Sequence, residues 1–264
     1  MLSVLKQWPR LTVFGLIAVL GVMSSSAAKA DTVTFATYES KQTGNSFKYD
    51  SAGVAGQGGT SYLLTNNTPT GTPAGSGGLT PTAINVNFRY VAGTIFTAGL
   101  NPLLLGNQDA TLALSTTSQT GVIVFGGFAI QQNLQGSLEI RRTVPLLGKD
   151  LLLRVDFNAR YQGQNGGQTS TLAADATLGE TIMFSSDFID FSASTGQNMS
   201  NTFTSVTPKF IKDLVSQFFR PHTAHGTGSF AADTAVPEPG TIAGAFAGLL
   251  FAGLAVVRRR AKTA

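Results

Sequence analysis

Ile84, Val86, Phe88 and Tyr90 alternate with Asn85, Asn87 and Arg89. Successive side chains of an extended strand point to opposite faces, so such a run buries one face and wets the other; a helix would need apolar residues three and four apart. The same period of two recurs through residues 31–235. Leu151, Leu153, Val155 and Phe157 alternate with Leu152, Arg154, Asp156 and Asn158, and Leu138 and Ile140 with Glu139 and Arg141. Gly148-Lys149-Asp150 supplies a turn between them, which predicts a hairpin of 137–144 with 151–161. Asn165-Gly166 marks the next turn and leads to a strand near 169–178. Further strands are predicted at 32–39, 46–50, 60–65, 110–116, 121–130, 181–185, 187–193, 200–206 and 227–232. Many short strands without intervening helices predict an all-β body, an antiparallel β-sandwich or jelly roll.

One short amphipathic helix is predicted near 208–220. Thr207 can cap it, Pro208 suits its first position, and Phe210, Ile211, Leu214, Val215 and Phe218 fall on one face. The stretch 66–82, rich in Thr, Pro and Gly, reads as a loop, and Thr223–Ala235 as a short stalk leaving the body. The glycine-rich stretches Gly53–Gly59 and Gly71–Gly78 lack the Lys-Ser/Thr of a phosphate-binding loop and read as loops too.

The two ends of the chain carry different signals. Lys6 and Arg10 precede an apolar run from Leu11 to Met23, and small residues follow, ending in Ala28-Lys29-Ala30. This is the three-part pattern of a secretory signal peptide, residues 1–30, with cleavage expected after Ala30. At the other end Val236-Pro237-Glu238-Pro239-Gly240 precedes an apolar run, 241–257, and then Arg258-Arg259-Arg260. Seventeen helical residues reach about 25 Å, enough for a short transmembrane helix. The arginines predict that the tail stays cytoplasmic while the body faces outward. Pro237 and Pro239 cannot continue a helix and present a stiff, extended segment just outside the membrane.

The charge balance follows from these ends. Of 18 Lys and Arg, seven lie in them: Lys6, Arg10, Lys29, Arg258, Arg259, Arg260 and Lys262. The other eleven share residues 31–240 with all 14 Asp and Glu, a net charge of −3. A basic whole-chain composition therefore reports topology signals, and nucleic-acid binding is excluded on charge. There is no cysteine, although an exported protein meets an oxidising compartment. The single tryptophan, Trp8, belongs to the expected signal peptide, so the body has none, which counts against a sugar-stacking face without removing it.

Val236, Pro237, Glu238 and Pro239, the apolar helix Ile242–Val257 and the terminal Arg258, Arg259 and Arg260 together resemble the PEP-CTERM sorting signal of exosortase-processed bacterial surface proteins. The resemblance covers residues 236–264. It implies a Gram-negative host, a periplasm-facing inner-membrane intermediate, cutting near the motif by an exosortase-type peptidase, and delivery to the cell surface or extracellular matrix. It carries no catalytic residue into the body.

Chemistry-bearing residues in the body are few. His222 and His225 are its only histidines, flanked by Pro221 and Gly226. A spacing of three suits Zn²⁺ only on a helical turn, and no acidic ligand is close in sequence, so both read as exposed loop histidines. Asp187 and Asp190 could offer oxygens to Ca²⁺, but no Ca²⁺-loop pattern surrounds them. Glu39, Glu139 and Glu180 sit in strand or turn contexts, and no G-x-S-x-G nucleophile elbow occurs. The expectation is a three-part chain, 1–30, 31–235 and 236–264, without cofactor or metal. Its function is expected to be a non-catalytic surface or matrix protein that adheres to cells or associates with exopolysaccharide. The competing expectations are an extracellular carbohydrate-active hydrolase and a self-assembling structural subunit.

Overall fold

The period-two runs become strands in a computed structural model, which describes residues 32–42, 44, 46–66 and 80–234. The strands are β1 (Val33–Ser40), β2 (Phe47–Ala52), β3 (Thr60–Thr65), β4 (Ile84–Tyr90), β5 (Gln108–Ser118) and β6 (Ile123–Phe125), followed by β7 (Phe128–Leu146), β8 (Lys149–Gln164), β9 (Ser170–Asp175), β10 (Ile182–Ser185), β11 (Ser194–Thr207) and β12 (His222–Thr234). Every pairing among them is antiparallel.

Several strands act as one. β1 pairs with the later part of β12 and β2 with its beginning, so the two lie end to end on one edge. β4 and β3 line β5 in the same way, and β9 and β10 line β8. Counted so, each wall neighbours the next in sequence: β1/β2, β3/β4, β5, β7, β8, β9/β10, β11 and β12. The last returns to the first through the β1–β12 pairing. The expected antiparallel all-β body is therefore present, and the opposed faces of a sandwich are here opposite walls of one closed sheet. Closure satisfies the backbone groups that the first and last strands would otherwise leave open.

The core is read off the register. Ile84, Leu112, Ile140 and Leu153 stand side by side across β4, β5, β7 and β8, and Leu114, Leu138, Val155 and Phe184 form the next row. All are buried. On β12 the inward positions are His222, Ala224, Gly226, Gly228, Phe230 and Ala232. The two glycines make room for rings: a Cβ on Gly226 would meet Phe47 and Phe203, and one on Gly228 would strike Tyr38 and Asn201. Small residues opposite large ones fill a narrow barrel without leaving a void. Sheet and core both lie within Thr32–Thr234, a compact unit by itself.

Three expectations change. No helix forms at 208–220. Phe210, Phe218 and Phe219 are buried while Leu214 and Val215 are exposed, so the apolar residues do not share a face. The segment doubles back: Lys212 bridges to Phe219, and the Asp213 carboxylate accepts from the Val215 N–H at 2.9 Å. That local bond satisfies the backbone in a turn instead of a helix. The strand expected at 187–193 is a loop for the same reason, with Ser186 Oγ accepting from Phe188 N–H and Asp190 from Ser192 N–H. The stalk expected from residue 223 is β12, the strand that closes the barrel. The expected signal peptide 1–30, the expected sorting motif Val236–Pro239, the apolar run 241–257 with Arg258–Arg260, and most of the expected loop 66–82 lie outside the described residues. Among the described residues no helix is long and apolar enough to cross a membrane.

Candidate functional site

The histidines separate first. Residues 222 and 225 are an odd number apart on one strand, so their side chains leave opposite faces. His222 points into the barrel and is buried, whereas His225 is half-buried on the outside, its Nδ1 3.5 Å from Ser46 Oγ. The two cannot share a metal, and the exposed-loop placement expected for His222 does not hold. Its ring stacks on Tyr49 at 5.1 Å and 3° and on Tyr161 at 5.9 Å and 20°. Nδ1–H donates to the Arg220 carbonyl at 2.8 Å, which leaves Nε2 as the acceptor for the Tyr161 hydroxyl, also at 2.8 Å. Ser170 Oγ completes the chain by donating to Tyr161 Oη at 2.8 Å. Burial pulls the His222 pKa down to about 4, so the ring is neutral near pH 7, and pushes the Tyr161 and Tyr49 hydroxyls up. Ser170, Tyr161 and His222 have the order of a nucleophile relay, yet all three are sealed from solvent. Their work is to satisfy one another inside the core.

The carboxylates are engaged as well. Glu139 and Asp150 pair with Arg141, and Glu180 accepts from the Asp175 N–H at 2.7 Å and lies 3.8 Å from Arg160. Asp187 accepts from the backbone N–H groups of Asp150 and Leu151 at 3.2 and 3.0 Å, tying its loop to the start of β8. Asp190 caps its own turn, and that hydrogen bond holds its carboxyl below the usual range. Among the described residues no three His, Cys, Asp or Glu side chains come together in a way that could hold a metal ion.

What the sheet does assemble is a polar groove on its outer wall, of about 530 Å³, across β4, β1, β12 and β11. The register lays out two rows of neighbouring side chains. Asn87, Glu39, Thr227 and Thr202 form one; Arg89, Thr37, Ser229 and Ser200 form the other. Asn107 lines one end. None of these nine side chains has a hydrogen-bond or ion-pair partner among the described residues. The groove thus holds hydroxyls and amides free to bond a ligand, with one carboxylate and one guanidinium. The sequence places Asn87 and Arg89 on the wet face of a strand and Glu39 in a strand or turn context, but it assigns none of the nine to a site. Their common signal is weak: outward positions of β11 and β12 are short hydroxyl residues where β7 and β8 carry charges.

No protein family, curated protein or solved structure matches this chain.

Proposed function

We propose that this chain is an exported, non-catalytic surface or matrix protein whose barrel associates with exopolysaccharide through the outer groove. The observation that carries the reading is the double row of unpartnered hydroxyl and amide groups on β4, β1, β12 and β11. Adjacent strands lie about 4.8 Å apart, close to the length of a sugar ring, so a chain lying across them meets a fresh side chain with each residue. Glu39 is the one carboxylate among the groove residues, while inverting and retaining glycosidases both need a pair. Delivery follows the resemblance of 236–264: secretion through the N-terminal signal, an inner-membrane intermediate held by 241–257, processing by an exosortase-type peptidase, and release to the cell surface or matrix of a Gram-negative bacterium.

Affinity electrophoresis of the body in gels containing host exopolysaccharide tests the groove. Replacing Asn87, Arg89 and Thr202 with alanine removes three outward side chains and leaves the core intact. Each neutral hydrogen bond is worth about a two- to tenfold change in affinity, so the triple variant should bind at least about tenfold more weakly. Equal retardation of variant and parent, or none of either, would sink the groove. Mass spectrometry of the mature chain tests delivery, since an intact terminus through Ala264 in the inner membrane is incompatible with sorting.

A further inference from the structure

The end of the barrel opposite Val33 and Thr234 carries an apolar tip among cations. The connections 53–59, 119–127, 165–169 and 208–221 meet there, joined by backbone hydrogen bonds from Ala55 to Ser216, Val122 to Gln217, Asn165 to Gly127 and Gly166 to Phe210. β6 and β7 fold back through Gly126-Gly127, at φ of 58° and 85°, a turn that left-handed backbone makes tight. The register sets Ile123 against Ile130 and Phe125 against Phe128. Residues paired across an antiparallel ladder share a face, so these four side chains form one apolar block at the tip. Phe125 is 82% exposed and Phe128 57%. Leu214 and Val215, each 80% exposed, sit on the neighbouring turn. That turn is fastened to the root of the hairpin by the Val122 N–H, which donates to the Gln217 carbonyl at 2.8 Å.

The charged residues of these four connections are Lys209, Lys212, Arg220 and Asp213. Lys209 and Arg220 are exposed, none of the three cations has an ion-pair partner among the described residues, and the Asp213 carboxylate is occupied with its own turn. In a body of net negative charge, this end is cationic.

We propose that this end of the barrel docks on an anionic lipid surface. Phe125 and Phe128 enter the boundary between headgroups and acyl chains, Leu214 and Val215 rest beside them, and Lys209, Lys212 and Arg220 meet the phosphates. Apolar area and cation–headgroup attraction are the two terms that drive interfacial binding, and both converge here. A second copy fits less well, because two-fold docking through the tip would set the three cations against their own counterparts. The proposal is independent of the groove, which lies on the wall of the barrel.

The isolated body, whose sheet and core are self-contained, allows a clean test because its Trp count is zero once residues 1–30 are absent. In a Phe125→Trp body, emission should shift to the blue with vesicles of equal parts phosphatidylglycerol and phosphatidylethanolamine, and stay unchanged with phosphatidylcholine alone. Each cation near an anionic surface is worth about a fivefold gain, so neutralising Lys209, Lys212 and Arg220 to glutamine should weaken vesicle binding by about a hundredfold. Co-sedimentation of the tryptophan-free Phe125→Ser, Phe128→Ser body should show the same loss without relying on fluorescence. No shift with anionic vesicles overturns the proposal. So does an equal shift with both vesicle types, or concentration-dependent self-association as the sole effect of the tip.

Discussion

Acidifying the barrel from neutrality to pH 4 should cost it about 3 kcal/mol through His222 alone. The native ring is neutral, with its pKa pulled down to about 4 by burial, while an unfolded histidine titrates near 6.5. Above pH 6.5 both states are neutral at this residue and the full stability is present. As pH falls below 6.5 the unfolded chain takes up a proton that the native ring refuses, so stability drops by about 1.4 kcal/mol per unit until the native ring also titrates near 4. The loss is about 2 kcal/mol at pH 5 and about 3 kcal/mol at pH 4, a large part of the 5–15 kcal/mol that holds a typical domain together. Urea unfolding at several pH values would measure it. A His222→Gln body retains an acceptor for the Tyr161 hydroxyl and removes the titration. It should be less stable than the parent at neutral pH and lose less on acidification, so the two curves converge. Surface carboxylates titrate alike in both proteins and cancel in the difference. Parallel curves between pH 6.5 and 4 would refute the argument and place a charged or solvated imidazole at this position.

Two further substitutions probe the interior rows. Gly228→Ala places a methyl group against the Tyr38 ring and the Asn201 amide, and should destabilise the body by about 3 kcal/mol, read as a lower denaturant midpoint. Tyr38→Phe removes the hydroxyl that donates to Asn201 Oδ1 at 2.9 Å inside the barrel. Because Asn201 Nδ2 already lacks a partner among the described residues, the loss should be about 1–3 kcal/mol, and pairing it with Asn201→Leu should recover most of it by removing the stranded amide.

How much of this was legible depends on how local the cause is. β4 follows directly from its residues, since period two needs only neighbours, and the β7–β8 hairpin announces itself by alternation on both sides of a turn. The turn itself falls at Leu147-Gly148 and shares only Gly148 with the Gly148-Lys149-Asp150 stretch that the composition suggests, since Lys149 and Asp150 already belong to β8. Alternation fails where a bulge resets its phase. Around Asn133, at φ 56°, the buried positions pass from Ala129 and Gln131 to Leu134, Leu138 and Ile140, so the apolar pattern splits. At 208–220 the spacing of Phe210, Leu214 and Phe218 suits a helix, but Asp213 bonds its own turn and the barrel end takes up Phe218 and Phe219 together. His222 was readable in retrospect, because it is in phase with Ala224, Phe230 and Ala232. The groove was not. Its paired residues on β1 and β12 are far apart in the chain, Glu39 beside Thr227 and Thr37 beside Ser229, and only the closed register brings them side by side.

That closing register also sets an order of events. A chain synthesised from its N-terminus makes β1 first and β12 last, yet the two must pair. Until His222–Thr234 has been made, β1 waits with one edge uncovered, and the barrel cannot lock by completing local hairpins alone. The strand that shuts the barrel is therefore the last of the twelve to become available, and every earlier hairpin forms on a sheet that is still open.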